Sequence, residues 1–366
     1  MQINQTQAVT DMKKATSLDV ARLAGVSQTT VSLVLSGSMK ISVSEETRER
    51  VAQAARELDY QLPARTKARA RQAEKRMLLL LVPTLTNQYY TDLARMVEDY
   101  AEKNNFQVVI CNTYRRTEME KQYLETFADS LAGGIIYTFL PSFPTQAELL
   151  SRRVPTVIIG EKESSLRVCS IELNNEVAGT LIAEHLYLMG HRKMVFISTP
   201  FNHLTLARGQ RLNGIRRQLA QYGLKNSLEV IAAEGPGEAD QKDDMPYEYS
   251  VGRKLTGELM DRGTDATALI GVNDMTAFGI LDELRARGLR VPQDYSVCGF
   301  DNVFSARLSS LGLTTIDHQM RLRCQEAVNM ILAQWNGSSA PLLHKIEYAP
   351  LLVARSSTGP ARPGKA

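Results

Sequence analysis

The stretch LDVARLAGVSQTTVSLVLS, residues 18–36, contains the strongest structural signal in the sequence. Its first half places apolar residues at i, i+3 and i+4 spacing, which predicts a short amphipathic helix. Gly25 follows, and a glycine just after a helix readily takes the positive φ that reverses the chain. Ser27 can cap a second helix, and Val31 and Val34 supply the buried side of that helix. The spacing predicts a helix-turn-helix, and its short polar outer face suits a DNA major groove.

Charge separates this reading from the alternative, a small amphipathic hairpin with capped ends. Residues 13–76 contain 13 Lys and Arg against 7 Asp and Glu, a net charge of +6, whereas the whole chain carries only +3. A basic N-terminal part on a slightly acidic body is typical of a nucleic-acid-binding module joined to another domain, although a solvated basic face is also possible. A third amphipathic helix, with Ser44 as its N-cap, extends the module to residue 62.

From residue 77 onward, apolar strand-like runs alternate with amphipathic helical patterns. This alternation predicts parallel sheets with helices on both faces, and its length favours two doubly wound lobes. Ligands in such folds bind at the carboxyl ends of the strands. The predicted strands are 77–83, 106–112, 133–139, 155–160, 194–199, 229–234, 268–273 and 295–300. The predicted helices are 91–103, 117–131, 177–189, 207–222, 250–262, 274–287 and 320–335.

Several classes of protein lack their sequence signals here. No run approaches 18 apolar residues, so we expect no membrane-spanning helix and no membrane partner. Residues 1–14 are too polar for a signal peptide and predict a disordered extension. The 4 separated cysteines predict free buried thiols in a reducing cytoplasm. There is no GxGxxG or Walker A motif, and we find neither a nucleophile–base pair nor clustered histidines, so we expect no cofactor, no metal and no enzymatic activity.

The runs DVARLAGVSQTTVSLVLS and SEETRERVAQAARELDY, with the basic segment and two-lobed body after them, resemble the LacI/GalR transcriptional regulators. The phrases NDMTAFGILDELRARGLRVPQDYSVCGFDN (273–302) and LTTID (313–317) strengthen the resemblance. It implies an N-terminal all-α helix-turn-helix domain and an α/β body of two doubly wound parallel-sheet lobes of periplasmic-binding-protein type. It also implies a homodimer that binds a palindromic double-stranded DNA operator and holds a small-molecule effector between its lobes.

These signals together predict where the domains begin and end. The expected domains are a helix-turn-helix domain at 15–62, a basic hinge at 63–76, an effector-binding and dimerisation domain at 77–356, and a disordered tail at 357–366. The expected lobes are lobe 1 at about 77–173 and 317–345, and lobe 2 at about 174–316 and 346–356. In the hinge, the position where the family carries a DNA-wedging Leu falls at Arg69, or at Ala70 if the register shifts by one, so this hinge lacks a good apolar wedge.

Carried over position by position, the resemblance implies a set of DNA contacts. Gln28 and Thr29 fall where the family reads bases, and Gln can form two hydrogen bonds with adenine. Leu33 stands where the family usually has Arg, and its apolar side chain suits a thymine methyl group. The expected phosphate contacts are Thr16, Ser27, Thr30, Ser32 and Ser36, and the expected hinge contacts are Arg65, Lys67 and Arg69. For each helix position, the alternative is a merely solvated side chain.

The resemblance also singles out Arg211, Asn273 and Asp301 as effector-binding residues. A guanidinium, an amide and a carboxylate offer paired donors and acceptors for vicinal hydroxyl groups. Tyr247 falls where sugar-binding members keep a stacking aromatic ring, and Tyr90 is a further aromatic candidate. For Asp301, a plain helix cap is the alternative.

The sequence therefore predicts a repressor of sugar-utilisation genes that a small sugar or glycoside releases from its operator. A purine or nucleoside effector remains open, because Arg and Asp also suit the edge of a purine. An exported solute-binding protein would share the two-lobed body. It would need a signal peptide, however, and it would have no use for residues 15–76.

Overall fold

A computed structural model of the chain describes residues 15–35, 43–60, 76–128, 132–201, 206–235, 245–335 and 343–362. The chain divides into two compact units, of which the first comprises residues up to 74 together with 143–153. The second unit contains the rest of the chain. The predicted extension at 1–14 and residues 63–75 of the predicted hinge lie outside the described residues.

The first unit contains the predicted helix-turn-helix. Its helices, numbered in chain order, are α1 (Ser17–Ala24), α2 (Gln28–Leu35), α3 (Glu45–Glu57) and α6 (Pro144–Ser151). Gly25 ends α1 with φ +67° and ψ +38°, the left-handed conformation that the turn requires. Val31 from α2 and Val51 from α3 are fully buried in one apolar cluster with Val20 of α1. The predicted turn and the three-helix core are both confirmed.

Lobe 1 of the second unit is built on a six-stranded parallel sheet with strand order β11-β5-β4-β3-β1-β2. Its strands are β1 (Arg76–Val82), β2 (Phe106–Asn112), β3 (Ala132–Tyr137), β4 (Thr156–Ile159), β5 (Cys169–Leu173) and β11 (Lys345–Tyr348). Its helices are α4 (Gln88–Glu102), α5 (Thr117–Tyr123), which continues as a π-helical turn (Leu124–Ala128), and α11 (Met320–Trp335).

Lobe 2 is built on a four-stranded parallel sheet with strand order β7-β6-β8-β9. Its strands are β6 (Met194–Ser198), β7 (Leu228–Ala232), β8 (Ala268–Gly271) and β9 (Ser296–Cys298). Its helices are α7 (Asn175–Leu188), α8 (Leu206–Gln221), α9 (Tyr247–Arg262) and α10 (Asp274–Ala286). An antiparallel pair, β10 (Thr315–Asp317) and β12 (Leu351–Val353), follows, with a 3₁₀ turn (Phe304–Arg307) between β9 and β10.

Two glycines allow the helices of lobe 2 to touch backbone to backbone. A Cβ atom on Gly214 of α8 would lie 1.9 Å from the carbonyl oxygen of Glu176 in α7. A Cβ atom on Gly279 of α10 would lie 2.1 Å from the carbonyl oxygen of Tyr249 in α9. No side chain fits at either position, so the two helix pairs keep fixed spacings. The first pair brings Arg211 of α8 next to the start of α7.

The structure corrects two of the predicted boundaries. Residues 357–362 were expected in a disordered tail, but Val297 N–H donates to the Ser357 carbonyl oxygen at 2.8 Å and the Ser357 side chain is buried. Backbone hydrogen bonds, which composition does not reveal, hold this polar segment against lobe 2. Residues 346–348 were assigned to lobe 2, but they belong to β11, which pairs with β5 in lobe 1.

Two further sequence expectations concern single features of the chain. The 4 cysteines are buried and form no disulfide, as predicted. Within the described residues, no helix is both long and apolar enough to cross a lipid bilayer.

Candidate functional site

The polar face predicted to read DNA lies on α2. Ser27 caps this helix, because the Thr30 N–H donates to its Oγ at 3.0 Å and the Thr30 hydroxyl lies 2.8 Å from the same atom. Gln28, Thr29 and Ser32 are exposed, while the intervening Val31 is buried. The helix therefore exposes polar side chains on one side and buries its apolar side in the core of the unit.

The orientation of Gln28 is fixed by α1. Its Nε2 donates to the Ser17 hydroxyl at 2.7 Å, which holds the side chain across the turn. Thr16 is the N-cap of α1, with its hydroxyl donating to Asp19 Oδ2 at 2.6 Å and accepting from the Asp19 N–H at 3.3 Å. Leu33 is half-buried. The predicted contacts Ser36, Arg65, Lys67 and Arg69 lie outside the described residues.

The described helical core of this module is not basic. Across residues 15–35 and 43–60, 4 Arg side chains stand against 6 Asp and Glu. The net positive charge of residues 13–76 therefore comes from Lys13 and Lys14, from Lys40 and from the hinge sequence. The net positive charge of this module therefore lies outside its described helical core.

A second group of functional candidates lies where the two lobes meet, around the Arg211 side chain. Its Nε donates to Asn175 Oδ1 at 2.8 Å, and its Nη1 donates to the Val272 carbonyl oxygen at 2.6 Å. Its Nη2 lies 3.7 Å from Asp301 Oδ1 and 3.5 Å from His318 Nε2. Arg211 and Asp301 are both buried, so two of the five predicted effector residues meet at the carboxyl ends of β8 and β9.

The charges in this cluster are strongly perturbed by burial. Burial raises the pKa of Asp301 well above its usual range, and nearby Asp274 and Glu248 raise it further, whereas Arg211 lowers it. Burial lowers the pKa of His318 well below its usual range, and the positive charge of Arg211 acts in the same direction. His318 is therefore a neutral imidazole at pH 7. The cluster offers both hydrogen-bond donors and acceptors in a water-excluded setting.

The other predicted effector residues are Asn273, Tyr247 and Tyr90. Asn273 caps α10 through its Oδ1, which accepts from the Thr276 N–H at 2.9 Å, and it follows the Val272 carbonyl that holds Arg211. Tyr247 begins α9 and packs against the core of lobe 2. Tyr90 packs against the core of lobe 1, with its ring edge-on to Tyr89 at 5.1 Å. Both tyrosines are partly exposed.

Sequence reasoning missed the contacts that α4 makes across the cleft. Asn87 caps α4, and its Nδ2 donates to Glu248 Oε1 of lobe 2 at 3.1 Å. Gln88 Oε1 accepts from the Ser305 N–H at 3.3 Å, so a second residue of the same turn also reaches lobe 2. The Tyr89 ring packs against the cores of both lobes. The sequence signal that could have found them was Asn87, a good N-cap residue type, but the predicted helix began only at residue 91.

Asp274, the first residue of α10, is a structural brace. Its Oδ1 accepts from the Thr315 hydroxyl at 2.5 Å, and its Oδ2 accepts from the Val303 N–H at 3.1 Å. A Cβ atom on Gly299 would lie 2.3 Å from Asp274 Oδ1, which explains the glycine in the GFDN phrase. The carboxylate ties α10 to the segments that follow β9, and so fixes the position of Asp301.

Comparison with known proteins matches both parts of the chain. Residues 16–62 match the family described as bacterial regulatory proteins of the lacI family, and residues 183–358 match the periplasmic binding protein-like domain. The chain is 32% identical to the HTH-type transcriptional repressor PurR of Vibrio parahaemolyticus, over 94% of this chain and 98% of that protein. It is 28% identical to the HTH-type transcriptional regulator DegA of Bacillus subtilis, over 95% of this chain and 99% of that protein.

Among solved structures, the fold is similar to that of a LacI family transcriptional regulator from Enterococcus faecium with bound ribose. The TM-score is 0.67 and the sequence identity 23%, over 78% of this chain and all of the other. At this identity, the likeness is one of fold.

Proposed function

This chain belongs to the LacI family of bacterial regulatory proteins, and we propose that it represses sugar-utilisation genes as an operator-bound homodimer. A sugar or glycoside that enters the cleft between the lobes lowers its affinity for the operator. DNA recognition of this kind takes place in the bacterial cytoplasm, and we place the protein there.

The buried polar cluster of Arg211, Asn175, Asp301 and His318 is the observation that carries the sugar assignment. A sugar hydroxyl both donates and accepts a hydrogen bond, so adjacent hydroxyls match a carboxylate placed beside a guanidinium. Arg211 Nη2 lies 3.7 Å from Asp301 Oδ1. The Nε and Nη1 atoms donate hydrogen bonds to Asn175 and to the Val272 carbonyl oxygen. The ribose bound to the similar Enterococcus faecium regulator supports the same class of ligand.

The polar face of α2 supports the DNA part of the proposal. Gln28 is exposed and braced by Ser17, so its amide reaches a base edge with little loss of side-chain entropy. Affinity that does not depend on sequence comes from the hinge and N-terminal lysines, because the described helical core carries more acid than base. Alanine at Gln28 should change the preferred sequence, whereas alanine at Lys67 should weaken binding to all sequences alike.

A purine or nucleoside effector is the second candidate. Tyr90 and Tyr247 are partly exposed aromatic rings, one from each lobe, and a purine stacks on such rings more fully than a sugar does. Arg211 and Asp301 also offer the donor and acceptor that a purine edge needs.

Operator selection followed by ligand competition tests the proposal. The full chain is used to select duplexes from a randomised DNA library, and the selected duplex is then titrated in the presence of sugars, glycosides and purines. We expect a palindromic sequence, and release by a sugar or glycoside. Absence of any selected sequence contradicts the DNA assignment, and release by purines alone replaces the sugar effector with the second candidate.

A further inference from the structure

Glu248 is a buried carboxylate with one oxygen left unpartnered. It lies in the first turn of α9, where its residue exposure is 1%. Its Oε1 accepts from Asn87 Nδ2 across the cleft at 3.1 Å. Its Oε2 is buried and has no hydrogen-bond partner among the described residues. An unsatisfied buried oxygen of an acidic side chain is costly, so it needs a physical explanation.

Neither of the two buried arginines of the cleft forms an ion pair with this carboxylate. No ion pair of Glu248 occurs in the described part of the chain. Arg211 contacts Asn175, Val272 and the Asp301 carboxylate, while Arg323 Nη2 donates to the Ile171 carbonyl oxygen at 3.1 Å. Asp301, a second buried carboxylate, lies close enough to respond electrostatically to Glu248. Among the described residues, Glu248 therefore has Asn87 as its hydrogen-bond partner and no ion-pair partner of its own.

The backbone fixes the direction of the carboxylate. Asn87 Oδ1 accepts from the Tyr89 N–H at 2.9 Å, which sets the asparagine amide as the N-cap of α4 and points its Nδ2 at Glu248. The Glu248 carboxylate is therefore held between the lobes rather than within lobe 2. The Nε of Arg323, which contacts the Tyr89 hydroxyl at 3.5 Å through its Nη1, is also buried without a partner. A ligand that bears hydroxyl groups can donate a hydrogen bond to Glu248 Oε2 and accept one from Arg323 Nε.

We propose that Glu248 Oε2 accepts a hydrogen bond from a hydroxyl or ammonium group of the effector, and that Glu248 thereby selects against effectors that bring an anionic group to this position. This inference rests on the proposed function and narrows it. The effector is a neutral sugar or an amino sugar, and sugar phosphates and sugar acids are rejected, because an anionic group next to Glu248 Oε2 would bring a second acceptor, and no donor, to a buried carboxylate.

The first test uses sugars of matched shape and different charge on the wild-type full chain. The probes are D-glucose, D-galactose and D-ribose, with D-glucosamine and D-galactosamine as cationic forms and the corresponding 6- or 5-phosphates as anionic forms. Calorimetry should show binding of a neutral or cationic member, with its phosphate at least about 10-fold weaker. Tighter binding of a phosphate overturns the inference but leaves a sugar effector standing. Binding of none of the probes contradicts the inference together with the proposed sugar effector.

The second test is Glu248→Gln, with Glu258→Gln as the matched control on the same helix. Gln keeps a carbonyl oxygen for Asn87 and turns the unpartnered acceptor into a donor, whereas Glu258 is exposed. We expect Glu248→Gln to lose about 10- to 100-fold in affinity for the sugar that binds wild type, while Glu258→Gln keeps it.

Thermal unfolding without ligand separates ligand binding from a structural role. Glu248→Gln removes an uncompensated buried charge, so its melting temperature should equal or exceed that of wild type. A lower melting temperature with unchanged sugar affinity would show that Glu248 only joins the lobes, and would overturn the inference. The charge series on the wild type remains decisive even if the variant does not fold.

Discussion

Replacing Asp274 by Asn tests whether the buried negative charge at the carboxyl end of β8 destabilises the folded protein. The carboxylate accepts from the Thr315 hydroxyl at 2.5 Å and from the Val303 N–H at 3.1 Å. Asn can keep both partners, because its carbonyl oxygen accepts from the Val303 N–H and its amide donates to the Thr315 hydroxyl. The substitution therefore removes the negative charge and preserves the shape, while the Thr315 hydroxyl changes from donor to acceptor in this contact.

The expected change in the free energy of unfolding follows from the pKa of Asp274. Burial is the main cause that raises the pKa of Asp274 to about 6, compared with about 3.9 for an unfolded Asp. A carboxyl group with a higher pKa in the folded state binds its proton more tightly there, so stability is lost as the pH rises from about 4 to about 6. The difference corresponds to on the order of 3 kcal/mol at pH 7. The Asp274→Asn variant should not lose this stability, because its side chain does not ionise.

The assay is thermal unfolding of wild type, Asp274→Asn and Asp274→Ala, followed by circular dichroism between pH 4.5 and 7.5. We expect the melting temperature of the Asn variant to rise relative to wild type as the pH increases through this window. The Ala variant also lacks the charge but leaves the Val303 N–H without an acceptor, so it should be about 1–3 kcal/mol less stable than the Asn variant at every pH. Parallel pH profiles for wild type and Asn, or an Asn variant as unstable as Ala, would refute the reasoning.

Three further substitutions test the helices. Ser27→Ala should cost the first unit about 1 kcal/mol in its free energy of unfolding by removing the cap of α2, whereas the exposed Ser32→Ala should change it little; chemical denaturation measures both. Gln28→Ala should lose roughly 1–3 kcal/mol of discrimination at one base pair, and an unchanged sequence preference in library selection would reject it as a base contact. Gly214→Ala should cost about 3 kcal/mol or more, because its Cβ would meet a backbone oxygen at 1.9 Å, while Gly209→Ala on the same helix meets nothing within 4 Å and should unfold no more easily than wild type.

Features set by neighbouring residues could be predicted from the sequence. The left-handed Gly25 and the cap at Ser27 depend only on the residues around them, and the structure has both as predicted. Most strands of both sheets were also found, and β4, β6, β8 and β9 among them are continuous buried segments. β5, β10, β11 and β12 escaped prediction, because each is only 3 to 5 residues long; β11 and β12 also consist of exposed or half-buried residues.

The cleft shows where sequence reasoning ends. Arg211 and Asp301 were selected through the family resemblance, and the structure places them 3.7 Å apart. Glu248 carried no such signal, because its burial depends on Asn87, which lies 161 residues earlier in the chain. The structural role of Asp274 was likewise hidden, since its partners Val303 and Thr315 come from later segments of the chain. Long-range pairing of single polar atoms leaves no periodic pattern in a sequence.

The most direct test of the central claim is the coupling between operator and effector. The dissociation constant of the selected operator is measured with and without saturating sugar, and that of the sugar is measured for the free and the operator-bound protein. Thermodynamic linkage requires both constants to change by the same factor, and we expect this factor to be about 5- to 150-fold. A sugar that saturates the cleft while operator affinity stays unchanged would contradict the account.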